Sequence, residues 1–338
     1  MQELIQRLVE AFGPSGKEDQ VRDIVRGEIE PYADEISVSP LGGLHAIVNP
    51  GGGTKIMVAA HMDEIGVIIS HVDGNGFARF HKIGGVFPQT LVGHRVRFEG
   101  DVTGVIGAEA SVEIGDAPKL AEAFIDFGAS SVAECPVRVG DLGAFTRPFV
   151  KLGNRYVAKS LDDRVGVAVA IEAAKRLRNT PNEVQFAFTT QEEVGLRGAR
   201  TSAYGLDPDV GIALDVTRTG DTPKGIKMAI ELGAGPAIKV RDSGSLSDPR
   251  VVDLMVRRAE AARIPYQLEV LQTGTTDATA IQLTRAGVPV GVISIPCRYI
   301  HTPSEMVDAT DVENAVHLLQ AILENPVELP RRSQNRDC

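Results

Sequence analysis

Apolar positions recur at helical spacing in the first thirty residues, broken once by Gly13-Pro14-Ser15-Gly16. This predicts two helices, the second with Val21, Ile24, Val25 and Ile29 on one face. Ser15 and Glu18 have the spacing of a capping box ahead of it. Short strands are predicted at 35–39 and 45–48, and the unbroken apolar run 56–60 predicts a strand buried on both faces. Between 65 and 153 the texture changes. Val/Ile/Phe-rich pieces alternate with glycine-bearing turns at Gly74, Gly76, Gly84-Gly85, Gly93, Gly100, Gly115 and Gly140, roughly ten residues apart, which predicts a small all-β barrel or sandwich. From 160 onward helices and strands alternate. Helices are predicted at 161–178, 196–204, 248–263, 276–286 and 311–324, and strands at 184–190, 210–216 and 288–295. Ser160 is placed to N-cap the first of these helices, with Asp162 and Asp163 in its first turn. The pattern implies an α/β fold: a three-layer, mostly parallel sheet with helices on both faces, interrupted by an inserted small β-barrel domain. The expected division is 1–64 with 154–330 as one discontinuous α/β domain, 65–153 as the insertion, and 331–338 as a flexible polar tail.

Composition narrows the function. The chain has 338 residues, 43% hydrophobic and 24% charged, with a net charge of −10. An acidic balance disfavours nucleic acid and anionic membrane as partners. No apolar stretch approaches the ~18 residues of a membrane span, and the N-terminus lacks a signal-peptide pattern. Three cysteines, Cys135, Cys297 and Cys338, with no C-x-x-C, argue against a disulfide framework and a thiolate zinc site, and for a cytoplasmic location. Cys297 reads as a small buried residue rather than a nucleophile. Trp is absent and aromatics are 5%, which counts against a sugar-binding cleft. There is no G-x-S-x-G elbow, P-loop or H-E-x-x-H, and no dinucleotide loop, so no organic cofactor is expected.

In open α/β sheets ligands bind beyond the C-terminal ends of the strands. Those places carry His61 and Asp63 after the first buried strand, Glu192-Glu193 after the second, Asp215 within the third, His301 after the last, and Asp162-Asp163 after the insertion. Each alone has a plain structural reading: a polar turn, a solvated acidic pair, a helix-dipole partner. Asp215 does not, because a carboxylate inside Gly-Ile-Ala-Leu-Asp-Val is costly to bury unless paired or metal-bound. All converge on one rim and offer only imidazole and carboxylate donors, suited to Zn, Co or Mn. Two His, one Glu and two Asp exceed a three-ligand zinc site and match two metals about 3.5–4 Å apart. Of two adjacent glutamates, one can ligate while the other serves as general base. Asp63, two residues from His61, is placed to orient its ring.

His61-Met62-Asp63-Glu64-Ile65-Gly66, Ser160-Leu161-Asp162-Asp163-Arg164 and Gln191-Glu192-Glu193-Val194-Gly195 resemble the signature blocks of the tetrahedral (TET) aminopeptidases, the glutamyl, leucyl, lysyl and deblocking enzymes with two co-catalytic metals. Asp215-Val216-Thr217, Gly274-Thr275-Thr276-Asp277 and Ile300-His301-Thr302-Pro303-Ser304-Glu305 match its later blocks in order. The resemblance implies that His61, Asp162 and Asp215 bind one metal, that Asp162 bridges to a second held by Glu193 and His301, that Glu192 is the general base, and that Asp63 orients His61. It implies a metal-dependent aminopeptidase acting on peptides with a free N-terminus, a barrel used for dimerisation, and a homo-oligomer, a tetrahedral dodecamer built from dimers. Two stretches depart from the family pattern: 128–137 is short, and Thr275 stands where a smaller residue is common. A dimetal amidase or deacylase acting on N-acyl metabolites, or a glycoside hydrolase of endoglucanase type, is the alternative reading of the same carboxylates.

Overall fold

A computed structural model describes residues 1–113 and 116–330. The tail at 331–338 and the turn at Gly115 lie outside the described residues.

The apolar runs become the middle of an eleven-stranded sheet. Glu183–Thr189, Lys55–His61, Val210–Thr217 and Val290–Arg298 lie side by side and parallel. Alternation along each strand feeds two separate cores. Ile56, Val58 and Ala60 face the helices Gln2–Glu10, Asp19–Ile29, Leu161–Arg176, Pro249–Ala262 and Ala309–Leu323. Met57 and Ala59 face the helices Arg197–Leu206 and Asp277–Gln282 across a layer rich in alanine. Helices therefore cover both faces of the sheet, the three-layer α/β arrangement that the alternation predicts.

Antiparallel strands extend the sheet at both sides. Glu35–Val38 and Leu44–Val48 flank one edge, and Glu305–Asp308, Arg155–Ala158 and Val150–Leu152 the other. Ala237–Arg241 runs antiparallel to Val290–Arg298 and carries Gln267–Val270 beside it. The last five of these seven are not predicted by the apolar pattern. They are three to five residues long, and several bury a charged residue such as Lys239, Glu269 or Glu305, so no apolar run marks them.

The helix Leu161–Arg176 is buried at every position from Leu161 to Ile171, because it packs under the sheet with other helices outside it. Its start differs from the expectation. Ser160 makes no N-cap bond, and Asp162 and Asp163 have non-helical backbone. The Ser160 hydroxyl donates instead to the Val9 carbonyl, and the irregular start frees the Asp162 carboxylate from a dipole role. The capping box at Ser15 and Glu18 does not form either. Ser15 donates to the Asp63 carboxylate at 2.5 Å, and Glu18 accepts from the Gly16 and Gln191 amides. The helix expected at 276–286 is the shorter Asp277–Gln282.

Between Lys55–His61 and Leu161–Arg176 the chain forms a closed antiparallel barrel. Its six strands are Gly66–Val72, Ala78–Ile83, Ala123–Asp126, Thr103–Ala108, Arg95–Phe98 and Leu142–Phe145, in that order around the barrel. Val67, Ile69, Phe80, Val96, Phe98, Ile106 and Ile125 fill its interior. Among the described residues no helix is long and apolar enough to cross a membrane.

Candidate metal centre

Parallel register brings the strand ends to one rim, with Thr189 beside His61 and Asp215 beside Ser294. His61 is the last residue of its strand and is buried. Asp215 lies on the side of its strand opposite Leu214 and Val216, which belong to the larger core. Glu192 and Glu193 occupy the turn after Glu183–Thr189, and Asp162 the irregular start of its helix. His301 follows Val290–Arg298 in a loop where its backbone is left-handed, φ 64°.

Asp162 sits at the centre. Its Oδ1 is 3.0 Å from His61 Nε2 and its Oδ2 is 3.3 Å from His301 Nε2. Glu193 Oε1 is 3.4 Å from the same His301 nitrogen. Two donor groups result, His61/Asp162/Asp215 and Asp162/Glu193/His301, each with its ligand atoms within 4.8 Å of one another. One carboxylate thus has an oxygen in each group, which is the arrangement a bridging ligand needs.

Two further carboxylates hold this geometry by taking backbone amides. Glu305 accepts from the Asp162 amide at 2.9 Å and the His301 amide at 2.8 Å, one on each oxygen. Asp63 accepts from the Glu192 and Glu193 amides at 3.0 and 3.2 Å. His61 Nδ1 is 3.2 Å from the Asp63 carbonyl and 3.4 Å from its carboxylate. Asp63 thus stands beside His61 and also holds the glutamate turn through its two amides.

The electrostatics ask for cations. Burial, with Asp215 and Glu193 nearby, pushes the Glu192 carboxyl well above the ordinary range. Burial and Asp162 do the same to Asp215, and burial raises Glu193. Against the cost of burial, hydrogen bonds to Asp162 and Glu193 raise His301 to about 11. Burial likewise opposes the rise of His61, which Asp162 and Asp63 drive. Buried carboxylates that lift one another, around imidazoles driven toward imidazolium, mark a place built for positive charge. Asp163 Oδ2 and Asp277 Oδ1 nearby are buried without a hydrogen-bond partner. The donor set is imidazole and carboxylate without thiol, as Zn, Co or Mn would use. A cavity of about 450 Å³ opens onto the rim, lined by His61, Asp162, Glu192, Glu193, Asp215 and His301, and further by Arg218, Leu271 and Ile300.

Residues 42–318 match the family model of the M42 glutamyl aminopeptidases. The chain belongs to the M42 family. It is 37% identical to a lysyl aminopeptidase of Pyrococcus furiosus, over 95% of this chain and 96% of that one. An aminopeptidase of the archaeon Desulfurococcus kamchatkensis is 44% identical, with a TM-score of 0.91, over 96% of this chain and 94% of that one. The TET1 peptidase of Pyrococcus horikoshii, described as assembling into a tetrahedron or a large octahedral shell, is 31% identical, with a TM-score of 0.85, over 95% and 98%. This M42 chain is a metal-dependent aminopeptidase, a hydrolase.

All seven site residues expected from the sequence lie at this rim. Sequence reasoning missed Glu305, Gly84 and Gly85 as parts of it. Glu305 stood inside a motif block without a role. Gly84-Gly85 was visible only as a barrel turn, yet the turn lines the cavity. Cys297 is buried, and burial raises its thiol well above the ordinary value, which suits an inert packing residue.

Proposed function

We propose that this aminopeptidase holds two divalent ions, one on His61, Asp162 and Asp215 and one on Asp162, Glu193 and His301, with Asp162 bridging. The observation that carries this reading is Asp162, whose two oxygens face two different imidazoles. When bound, such ions supply acidification of water and polarisation of the scissile carbonyl. Zn or Co best suits the donors, with Mn next. Glu192 belongs to neither donor group, lines the cavity and has a raised pKa, so it serves as the general base. It accepts a proton from water and returns it to the leaving amine. Asp63 fixes the glutamate turn and the His61 ring. The free α-amine of the substrate would be held beside the Asp162/Glu193/His301 ion and the carboxylates around it, which restricts cleavage to chain ends.

The chain divides functionally into 1–64 with 154–330, which carries catalysis, and 65–153, which serves dimerisation. Dimers assemble into a tetrahedral dodecamer, as the likeness to a tetrahedron-forming peptidase supports. A cytoplasmic location agrees with Cys135 and Cys297 being unpaired.

Free aminoacyl anilides compared with their N-acetylated forms test the reaction. Hydrolysis of the free series alone is expected. Preference for the N-acylated series would identify a deacylase instead.

A further inference from the structure

Among the described residues, the barrel lines the metal centre's cavity with one turn. Gly84 and Gly85 follow the strand Ala78–Ile83 and line the cavity. The His301 ring is held between them and the carboxylates. Its Nε2 faces Asp162 and Glu193, and its Nδ1 edge faces Gly85. A Cβ built on Gly85 would fall inside the van der Waals envelope of the ring, against Nδ1 and Cε1, with Cγ at 3.3 Å. A Cβ on Gly84 would lie 2.6 Å from Glu193 Oε2 and 3.1 Å from Glu193 Cβ. Two consecutive glycines thus each abut one of the two residues that complete a donor group with Asp162. Phe87 adds its ring, 6.2 Å from the His301 ring between centroids.

His301 has little room to yield. Its amide is bonded to Glu305 and its backbone is already left-handed. Gly84 needs glycine for its own backbone, φ 71°. Gly85 does not lie in the left-handed region, so its bare Cα answers to the imidazole and not to the turn.

We propose that the barrel turn 84–87 is a positioning wall of the metal centre, setting the affinity of the Asp162/Glu193/His301 side. The barrel is then part of the active site as well as an assembly module. This rests on the two-metal reading above.

The test is zinc binding by full-length Gly85→Ala, followed by calorimetry against a chelator. Gly74→Ala is the control, in a turn of the same barrel where an added Cβ meets nothing within 4 Å. Wild type and Gly74→Ala should bind two zinc ions per subunit. Gly85→Ala should keep one ion at wild-type affinity and bind the other at least ~10-fold more weakly. The crowding should also lower its metal-free unfolding temperature somewhat relative to Gly74→Ala, so the selective loss at one ion is the deciding readout. Phe87→Ala, at a position 38% exposed, should weaken the same single ion to a smaller degree. Two ions at unchanged affinity in both variants would overturn the proposal. So would equal weakening of both ions, the mark of a merely structural turn. Fewer than two ions in wild type would overturn the two-metal reading itself.

Discussion

Glu192 and Glu193 are identical neighbours with different surroundings. Glu193 reaches His301 Nε2, while Glu192 stands in the cavity outside both donor groups. Replacing Glu192 with Gln should lower kcat by about 10²–10⁴-fold while two metals stay bound, measured by steady-state kinetics beside elemental analysis. Near-normal turnover would remove its role as base. Glu305 acts differently, since it touches the ligands only through their backbone amides. A Gln in its place can accept only one of those two bonds. Glu305→Gln should therefore weaken metal binding about 10–100-fold, read by chelator competition, with kcat at saturating metal much less affected. At this scale the donors were legible because strand ends in an α/β sheet are where side chains meet ligands. Which glutamate ligates was not legible from spacing, because adjacency is symmetric and only the turn bound to Asp63 breaks it. Glu305 gave no signal of its own, since a carboxylate that caps two amides looks like any other in sequence.

The elements are tied to the rim by a buried ionic cluster beneath it. Arg164, fully buried, donates to the carbonyls of Met62 and Leu8, both at 2.6 Å, and of Gly13 at 3.1 Å, and pairs with Glu64 at 3.3 Å. The first helix, the loop that follows it and the His61-Met62-Asp63 turn are thus fastened to the central helix by one side chain. Arg164→Met leaves Glu64 paired with Lys159 alone and orphans several carbonyls, and should destabilise the metal-free protein by about 3–5 kcal/mol in urea. Lys159 meets Glu64 at 2.6 Å. Burial, against the pull of Glu64, brings its pKa from 10.5 down to about 8. The unfolded chain then holds more protons than the folded one between pH 8 and 10.5, so this group's contribution to stability rises with pH across that window. Lys159→Met should flatten the rise relative to wild type, measured by urea unfolding across that window. An unchanged slope would place the shift elsewhere. The long elements were legible because their apolar runs are long, as in Val210–Thr217, every residue of which is buried. The short strands at 150–152, 155–158, 237–241, 267–270 and 305–308 were not, because strands such as Gln267–Val270 bury a charge and expose Leu268 and Val270, inverting the usual alternation.

At the scale of the molecule the barrel interrupts the α/β chain and returns to it, bringing Gly84 and Gly85 over the rim that the sheet builds. Nothing in the local pattern of either part predicts that meeting, since it depends on how the barrel and the α/β layers dock. The proposed dodecamer predicts a particle of about twelve times the 36.1 kDa subunit mass, measured by light scattering, and a dimer or monomer at assay concentration would contradict it. The acidic balance, first an argument against nucleic acid, has a second meaning here, because several of the 45 carboxylates converge on one cation site. The most direct test is titration of metal-free protein with zinc or cobalt while following hydrolysis of an aminoacyl anilide. Activity absent without metal and saturating at two equivalents per subunit is the predicted result. Turnover by the metal-free protein, or saturation at a single equivalent, would contradict it.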